Sequence, residues 1–171
     1  GMDSGPIVAQ TEEPIGPHDK ADELTARLFQ LGSSLLIEVL PRWASGEVQA
    51  RPQVDSQATV TKLLSKEDGE IDWKLGADLI ARQVLAYDPW PGTFTWWSGK
   101  TLKIIEASTV VLEGEAPSPP GLAVSLPDGG LAVATGDGVL AVERLQMEGR
   151  QVVSAGDFVR GYPKVAGSVL G

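Results

Sequence analysis

The apolar positions of this chain change period along its length. Residues 5–15 read as a short strand or extended piece, with Ile7, Val8 and Ala9 between Pro6 and Pro14. Residues 19–43 are predicted to be helical. Leu24, Leu28, Leu31 and Leu35 recur at spacings of 4, 3 and 4, and Phe29, Leu36, Val39, Leu40 and Trp43 widen the stripe. Asp19 is the expected N-cap, Asp22 and Glu23 place acid at the positive end of the helix dipole, and Ser45-Gly46 ends the helix. So broad an apolar face needs a partner surface.

Residues 47–57 are polar and aperiodic, which reads as a linker. Beyond it, residues 59–65 are expected as a short helix and residues 76–87 as a longer one, with Leu75, Leu79, Ile80, Val84 and Tyr87 on its apolar face and a stop at Asp88-Pro89. After Pro91 the pattern becomes that of strands. Residues 93–97, a Ser98-Gly99-Lys100 turn and residues 101–111 predict a hairpin. Strands over 122–126, 131–134 and 139–145 follow, separated by Asp128-Gly129-Gly130 and Thr135-Gly136-Asp137-Gly138. Short strands between glycine turns imply a small barrel rather than an open sheet, because closure removes exposed edges. Residues 113–121, with Pro117, Pro119 and Pro120, form a long irregular connection. The expected class is α+β, with regions 1–46, a linker 47–58, and 59–171.

Composition then narrows the chemistry. The 171 residues suffice for one domain, or one domain and a fragment. Cysteine and asparagine are absent and His18 is the single histidine, which excludes thiolate catalysis, iron–sulfur clusters and His-rich metal sites. The 14 basic against 23 acidic residues give a net charge of −9, the reverse of the balance usual in proteins that grip nucleic acid by neutralising phosphates. Residues 1–58 carry 4 basic and 9 acidic side chains, leaving 10 and 14 for residues 59–171. No apolar run approaches the roughly 18–20 residues that span a bilayer, so a cytoplasmic protein without a membrane partner is expected.

Three groups of residues are candidates for function. His18 lies beside the expected helix start, where a surface or capping role is preferred to that of a general base. Trp73, Trp90, Phe94, Trp96 and Trp97 either form a stacking platform for bases or pack the barrel; packing is preferred, because alternation puts only some rings on any one face. Lys62, Lys66, Lys100, Lys103, Arg144, Arg150, Arg160 and Lys164 are scattered singly, and act as a phosphate-tracking surface only if folding brings them together. Thr135-Gly136-Asp137-Gly138 lacks the lysine and spacing of a phosphate loop and reads as a hairpin turn.

Beyond this, several motifs resemble a known family in collinear order over essentially the whole chain. Asp3-Ser4-Gly5-Pro6-Ile7-Val8-Ala9-Gln10 resembles the segment that closes the active site of folate-dependent formyltransferases. Leu64-Ser65-Lys66-Glu67-Asp68-Gly69-Glu70-Ile71-Asp72-Trp73 resembles a motif of the methionyl-tRNA formyltransferases. Asp88-Pro89-Trp90-Pro91-Gly92, Thr135-Gly136-Asp137-Gly138, Leu145-Gln146-x-Glu148-Gly149 and Asp157-Phe158-x-Arg160-Gly161 follow in that family's order, although the family often has Arg where Leu85 stands.

The resemblance implies the last strand and helix of an α/β formyltransferase domain, a linker, and a C-terminal OB-like β-barrel with flanking helices. It implies initiator methionyl-tRNA as partner, held through Lys62, Lys66, Lys100, Lys103, Arg144 and Arg150. It also implies 10-formyltetrahydrofolate as co-substrate, bound upstream with contacts at Met2 and Gly5. The family's catalytic trio is Asn, His and Asp, in which Asn and protonated His stabilise the oxyanion and the Asp orients the His. Asp3 matches the Asp. A chain without asparagine lacks the Asn, and His18 does not match the His, so the isolated chain is expected to be inactive. Two alternatives stand beside this reading: a relative that formylates a sugar-nucleotide amine, and a structural or interaction module that dimerises through the helix over 19–43.

Overall fold

The leucine stripe winds into α1 (Ala21–Ala44), the long helix of the first of two units, Gly1–Leu63 and Leu64–Gly171. The structure is a computed structural model and describes residues 4–112 and 119–171. The N-cap of α1 is Lys20, without a side-chain cap bond, and not Asp19 as expected. The Asp19 carboxylate instead accepts from the Gly16 amide at 2.7 Å and from the Arg27 guanidinium at 2.6 Å. Arg27 also reaches Glu13 at 2.5 Å and the Pro14 carbonyl at 3.2 Å. A charge-assisted pair outcompetes a cap bond to a neutral amide.

The extended start of the chain makes one antiparallel bridge, Ile7 with Arg51, through reciprocal backbone bonds of 2.8 and 2.9 Å. Residues 47–57 are thus more than a linker: they supply that partner and a 3-10 turn at Asp55–Gln57. Residues 59–65, expected as a helix, are not helical. Thr59, Val60 and Thr61 are β-branched, and Val60 and Leu63 are exposed, so neither propensity nor burial favours a helix there. On α1 Val39 is buried, whereas Leu28, Phe29, Leu36, Ile37, Leu40 and Trp43 are exposed.

The second unit begins with a 3-10 turn (Glu67–Gly69) and α2 (Ala77–Ala86), which turns Ala77, Ile80 and Val84 inward and leaves Leu75 and Leu79 exposed. Six strands follow: β1 (Thr93–Trp97), β2 (Lys100–Val110), β3 (Ala123–Ser125), β4 (Leu131–Ala134), β5 (Val139–Met147) and β6 (Val152–Ser154). A short helix α3 (Ala155–Gly161), which was not among the expected elements, and a 3-10 turn at Pro163–Val165 complete it. Ser154 caps α3 by accepting the Asp157 amide. All strand pairs are antiparallel, in the order β1-β2-β5-β4-β3, with β6 beside β5.

Strand pairing therefore does not close the sheet, which corrects the expected barrel. The C-terminal residues bridge its two edges instead. Leu122 of the β3 edge pairs with Val169, the Leu170 amide donates to the Gly121 carbonyl at 2.8 Å, and the Gly171 amide donates to the Trp96 carbonyl of β1 at 3.0 Å. The edges are thus protected without a seventh strand. One core fills the concave side, built on Ile80, Leu102, Ile104, Leu131, Leu140, Leu145 and Phe158. The irregular connection expected over 113–121 lies for residues 113–118 outside the described residues.

Candidate functional site

Two turns carry the chemistry-bearing side chains of the second unit to one place. The 3-10 turn Glu67–Gly69 starts after Lys66, and Gln83 of α2 ties it down by donating to the Asp68 carbonyl at 3.2 Å. Gly69 then packs on Gly92. A Cβ at position 69 would lie 2.1 Å from the Gly92 carbonyl oxygen, so the approach requires glycine. Residues 88–92 form the second turn, in which Pro89 and Pro91 restrict the backbone on either side of Trp90. Two of the sequence motifs are thereby joined at one glycine pair.

From that turn β1 sends successive side chains to opposite sides. Thr93, Thr95 and Trp97 are buried on one side; on the other, Phe94 is buried beside Gly69 and only Trp96 is exposed. Register places Phe94 opposite Lys103 and Trp96 opposite Thr101, and then Lys103 opposite Gln146 of β5. The result is an open groove of about 760 Å³ lined by residues that include Lys66, Trp90, Phe94, Trp96, Lys103 and Gln146. Trp90 is 61% and Trp96 40% exposed. Phe94 stands edge-on to Trp96, with ring centroids 6.1 Å apart and planes at 88°. The Trp96 indole donates to Glu70 Oε1 at 3.0 Å, which holds the orientation of its ring.

The aromatic residues therefore divide. Trp73 and Trp97 are buried, the first donating to Thr95 Oγ1 at 3.0 Å and the second to Ser168 Oγ at 2.9 Å. Packing is their role, and Trp97 also meets Phe158 and Tyr162 edge-on. Trp90 and Trp96 stay at the surface, on the same groove as two lysines.

The cations divide as well. Among the described residues Lys66 and Lys103 line the groove and form no ion pair. Lys100 stands in register opposite Trp97, on the other face of the hairpin from Lys103, and Arg150 follows Gly149, which lines the groove. Arg144 is paired across the β2–β5 ladder with Glu106 at 3.0 Å. Lys62 belongs to the other unit. Arg160 is held by Asp157, whose carboxyl is kept below the usual range by the Ser154 hydroxyl and the Arg160 charge. Acidic groups are also close. Glu148 lines the groove and accepts the Thr101 amide at 3.2 Å, and Glu67 is held below its ordinary pKa by its own backbone amide and by the Ser65 hydroxyl.

Met2 and Asp3 lie outside the described residues. Gly5 is exposed, its carbonyl accepts the Gln53 side chain at 2.7 Å, and nothing lies within 4 Å of where a Cβ would stand. His18 is exposed in the turn before α1. Among the described residues no His, Asp or Glu cluster could hold a metal ion, and no helix is long and apolar enough to cross a membrane. Sequence reasoning missed Gln146 and the placement of Trp96 on the Lys103 face. The signal was present: a two-residue turn at 98–99 fixes Trp96 opposite Thr101 and Phe94 opposite Lys103 by counting.

Comparison with known proteins agrees with this architecture. Residues 63–163 match the family model described as formyl transferase, C-terminal domain. The methionyl-tRNA formyltransferase of Roseiflexus castenholzii is 45% identical over 170 residues, which cover 99% of this chain and 54% of that protein. That of Chloroflexus aggregans is 45% identical over 162 residues, covering 94% and 52%. The chain thus spans about half the length of the curated relatives it matches. Among solved structures, HypX from Aquifex aeolicus in complex with tetrahydrofolic acid superposes with a TM-score of 0.65 at 20% identity, over 96% of this chain and 29% of that one, a likeness of fold. A family model that accounts for most of the chain, on a sheet and turns that explain its motifs, makes the chain a member of the formyl transferase C-terminal domain family.

Proposed function

We propose that this chain is the C-terminal part of a methionyl-tRNA formyltransferase and that its second unit is an accessory grip for initiator methionyl-tRNA. In this reading residues 1–46 belong to the end of the catalytic domain, residues 47–58 connect, and residues 59–171 bind the RNA. The parent moves a formyl group from 10-formyltetrahydrofolate to the methionyl amine. Asp3 would orient a histidine that this chain does not carry, so the chain alone does not formylate. The single observation that supports the grip is the convergence on one groove of Lys66 and Lys103, unpaired among the described residues, in a protein whose net charge is −9. Two groove cations that form no ion pair among the described residues suit an anionic partner.

Lys100 and Arg150 are included on the resemblance, and Arg144 contributes less because Glu106 already neutralises it. Lys62 is included on the resemblance alone. An open sheet with bridged edges takes the place of the OB-like barrel. The exposed leucines of α1 support pairing of the isolated chain through that helix.

The test is salt-dependent binding of initiator tRNA to the chain and to Lys66→Gln and Lys103→Gln. Each variant is expected to lower affinity and to reduce the slope of log K against log salt by about 0.9 for each duplex phosphate that the protein no longer neutralises. Slopes equal to that of the parent chain in both variants refute the grip.

A further inference from the structure

We propose that the groove beside β1 takes an unpaired nucleotide of the RNA, its base stacked on Trp90 or Trp96 and its phosphate held by Lys66 and Lys103. This rests on the RNA reading above but asks more of it. Tracking a duplex backbone requires cations alone, whereas this groove combines cations with exposed indole rings, as single-strand readers do.

Four observations carry the inference. First, Trp90 and Trp96 are 61% and 40% exposed in a domain that buries its other tryptophans, Trp73 and Trp97. A fold that needed these rings only for stability would cover them. Second, the Trp96 ring is orientated in advance: its indole donates to Glu70 Oε1 at 3.0 Å and its plane stands at 88° to that of Phe94. A ring held in this way loses little conformational freedom when a base stacks on it. Third, Lys103 stands in register opposite Phe94, one strand from the β1 rings, and Lys66 lines the same groove. Neither ammonium group forms an ion pair among the described residues, although the charge of Lys66 is felt by the neighbouring Glu67 carboxyl. Fourth, Gln146 stands opposite Lys103, and its amide nitrogen donates to the Arg150 carbonyl at 2.8 Å. That bond fixes the amide, leaving its oxygen as the acceptor for a base edge.

Glu148 sets a limit. Its carboxylate lines the groove and is held by the Thr101 amide at 3.2 Å, so it repels phosphate at one end. Two lysines, with Glu148 in the groove and Glu67 and Glu70 beside it, suit a short anionic segment and not a long continuous backbone. The occupant is therefore a single-stranded segment of RNA.

The experiment compares a short oligoadenylate with a blunt RNA duplex, using the whole chain and Trp90→Leu, Trp96→Leu and Lys103→Gln. Leucine retains apolar area but cannot stack, and the far-ultraviolet spectrum verifies folding. Each tryptophan variant is expected to weaken oligoadenylate binding by about fivefold to 100-fold, with the salt slope unchanged. Duplex affinity should not move with the tryptophan variants. Lys103→Gln should reduce the oligoadenylate slope by about 0.7. If both tryptophan variants bind oligoadenylate as the parent chain does, stacking is overturned while the lysine grip stands. If neither RNA binds, the RNA reading fails with it. If a proline-rich peptide binds through these tryptophans while oligoadenylate does not, the groove is a peptide site and the proposal is overturned.

Discussion

Replacing Gly69 with alanine tests the close approach that builds the groove. The added Cβ would stand 2.1 Å from the Gly92 carbonyl oxygen. Ordinary van der Waals approach begins near 3.4 Å, so the two turns must separate by about 1.3 Å. Neither atom is the end of a flexible side chain, so the backbone itself must move. The Ile71 amide, two residues on, donates to the Phe94 carbonyl at 2.8 Å, and a displacement of that size breaks this bond beside a buried Ile71. Breaking a buried backbone bond costs about 1–3 kcal/mol and overpacking a further 1–3 kcal/mol. The expected destabilisation is thus about 2–6 kcal/mol, or roughly 8–24 °C in the midpoint of thermal unfolding at about 4 °C per kcal/mol.

Differential scanning calorimetry of Gly69→Ala measures the effect. Gly161→Ala is the control, since a Cβ there meets nothing within 4 Å; it should be neutral or slightly stabilising. Because the displaced turn begins after Lys66, RNA affinity at temperatures where the variant is folded should fall as well. A Gly69→Ala midpoint within about 2 °C of the parent would refute the close packing of the two turns.

Two further outcomes are expected elsewhere in the chain. Trp73→Phe removes the donor to Thr95 Oγ1 and leaves that fully buried hydroxyl without its partner, so chemical denaturation should show a destabilisation of about 1–3 kcal/mol, largely recovered by adding Thr95→Val. The Asp19 carboxyl is lowered to about 2 by the Arg27 guanidinium and the Gly16 amide. A lowered folded-state pKa stabilises above the ordinary carboxylate value of 3.8, and the contribution disappears as pH falls through about 2. Carbon-detected NMR titration should place the Asp19 midpoint near 2, returning to the ordinary range in Arg27→Gln; an unchanged midpoint in that variant would assign the shift to the Gly16 amide instead.

Local order was largely legible in the sequence. The spacing of Leu24, Leu28, Leu31 and Leu35 predicts α1, and Asp88-Pro89 stops α2 within two residues of its observed end. The hairpin of β1 and β2 was legible from its turn, but its register was missed: the turn is Ser98-Gly99 alone and β2 starts at Lys100, one residue earlier than the three-residue turn expected. Helices and hairpins depend on neighbours a few residues apart, and those neighbours are adjacent in the chain. α3 was hidden because its seven residues are too few for a 3.6-residue period to stand out, and Ser154 with Asp157 was the cue.

Tertiary structure alone decided the rest. Whether the sheet closes depends on Val169, Leu170 and Gly171 reaching edges formed far earlier in the chain, which no local pattern encodes. Asp19 gives up its expected capping role to a guanidinium eight residues away. The four tryptophans of the second unit look alike in sequence, yet Trp73 and Trp97 are core while Trp90 and Trp96 are surface; on β1 neighbouring Trp96 and Trp97 point to opposite sides, and the side of Trp96 is covered only at Phe94. Lys66 and Lys103 are 37 positions apart and meet on one groove only because Gly69 and Gly92 pack together. Periodicity determines which residues share a face of one element, and the packing of distant elements determines which faces become a site.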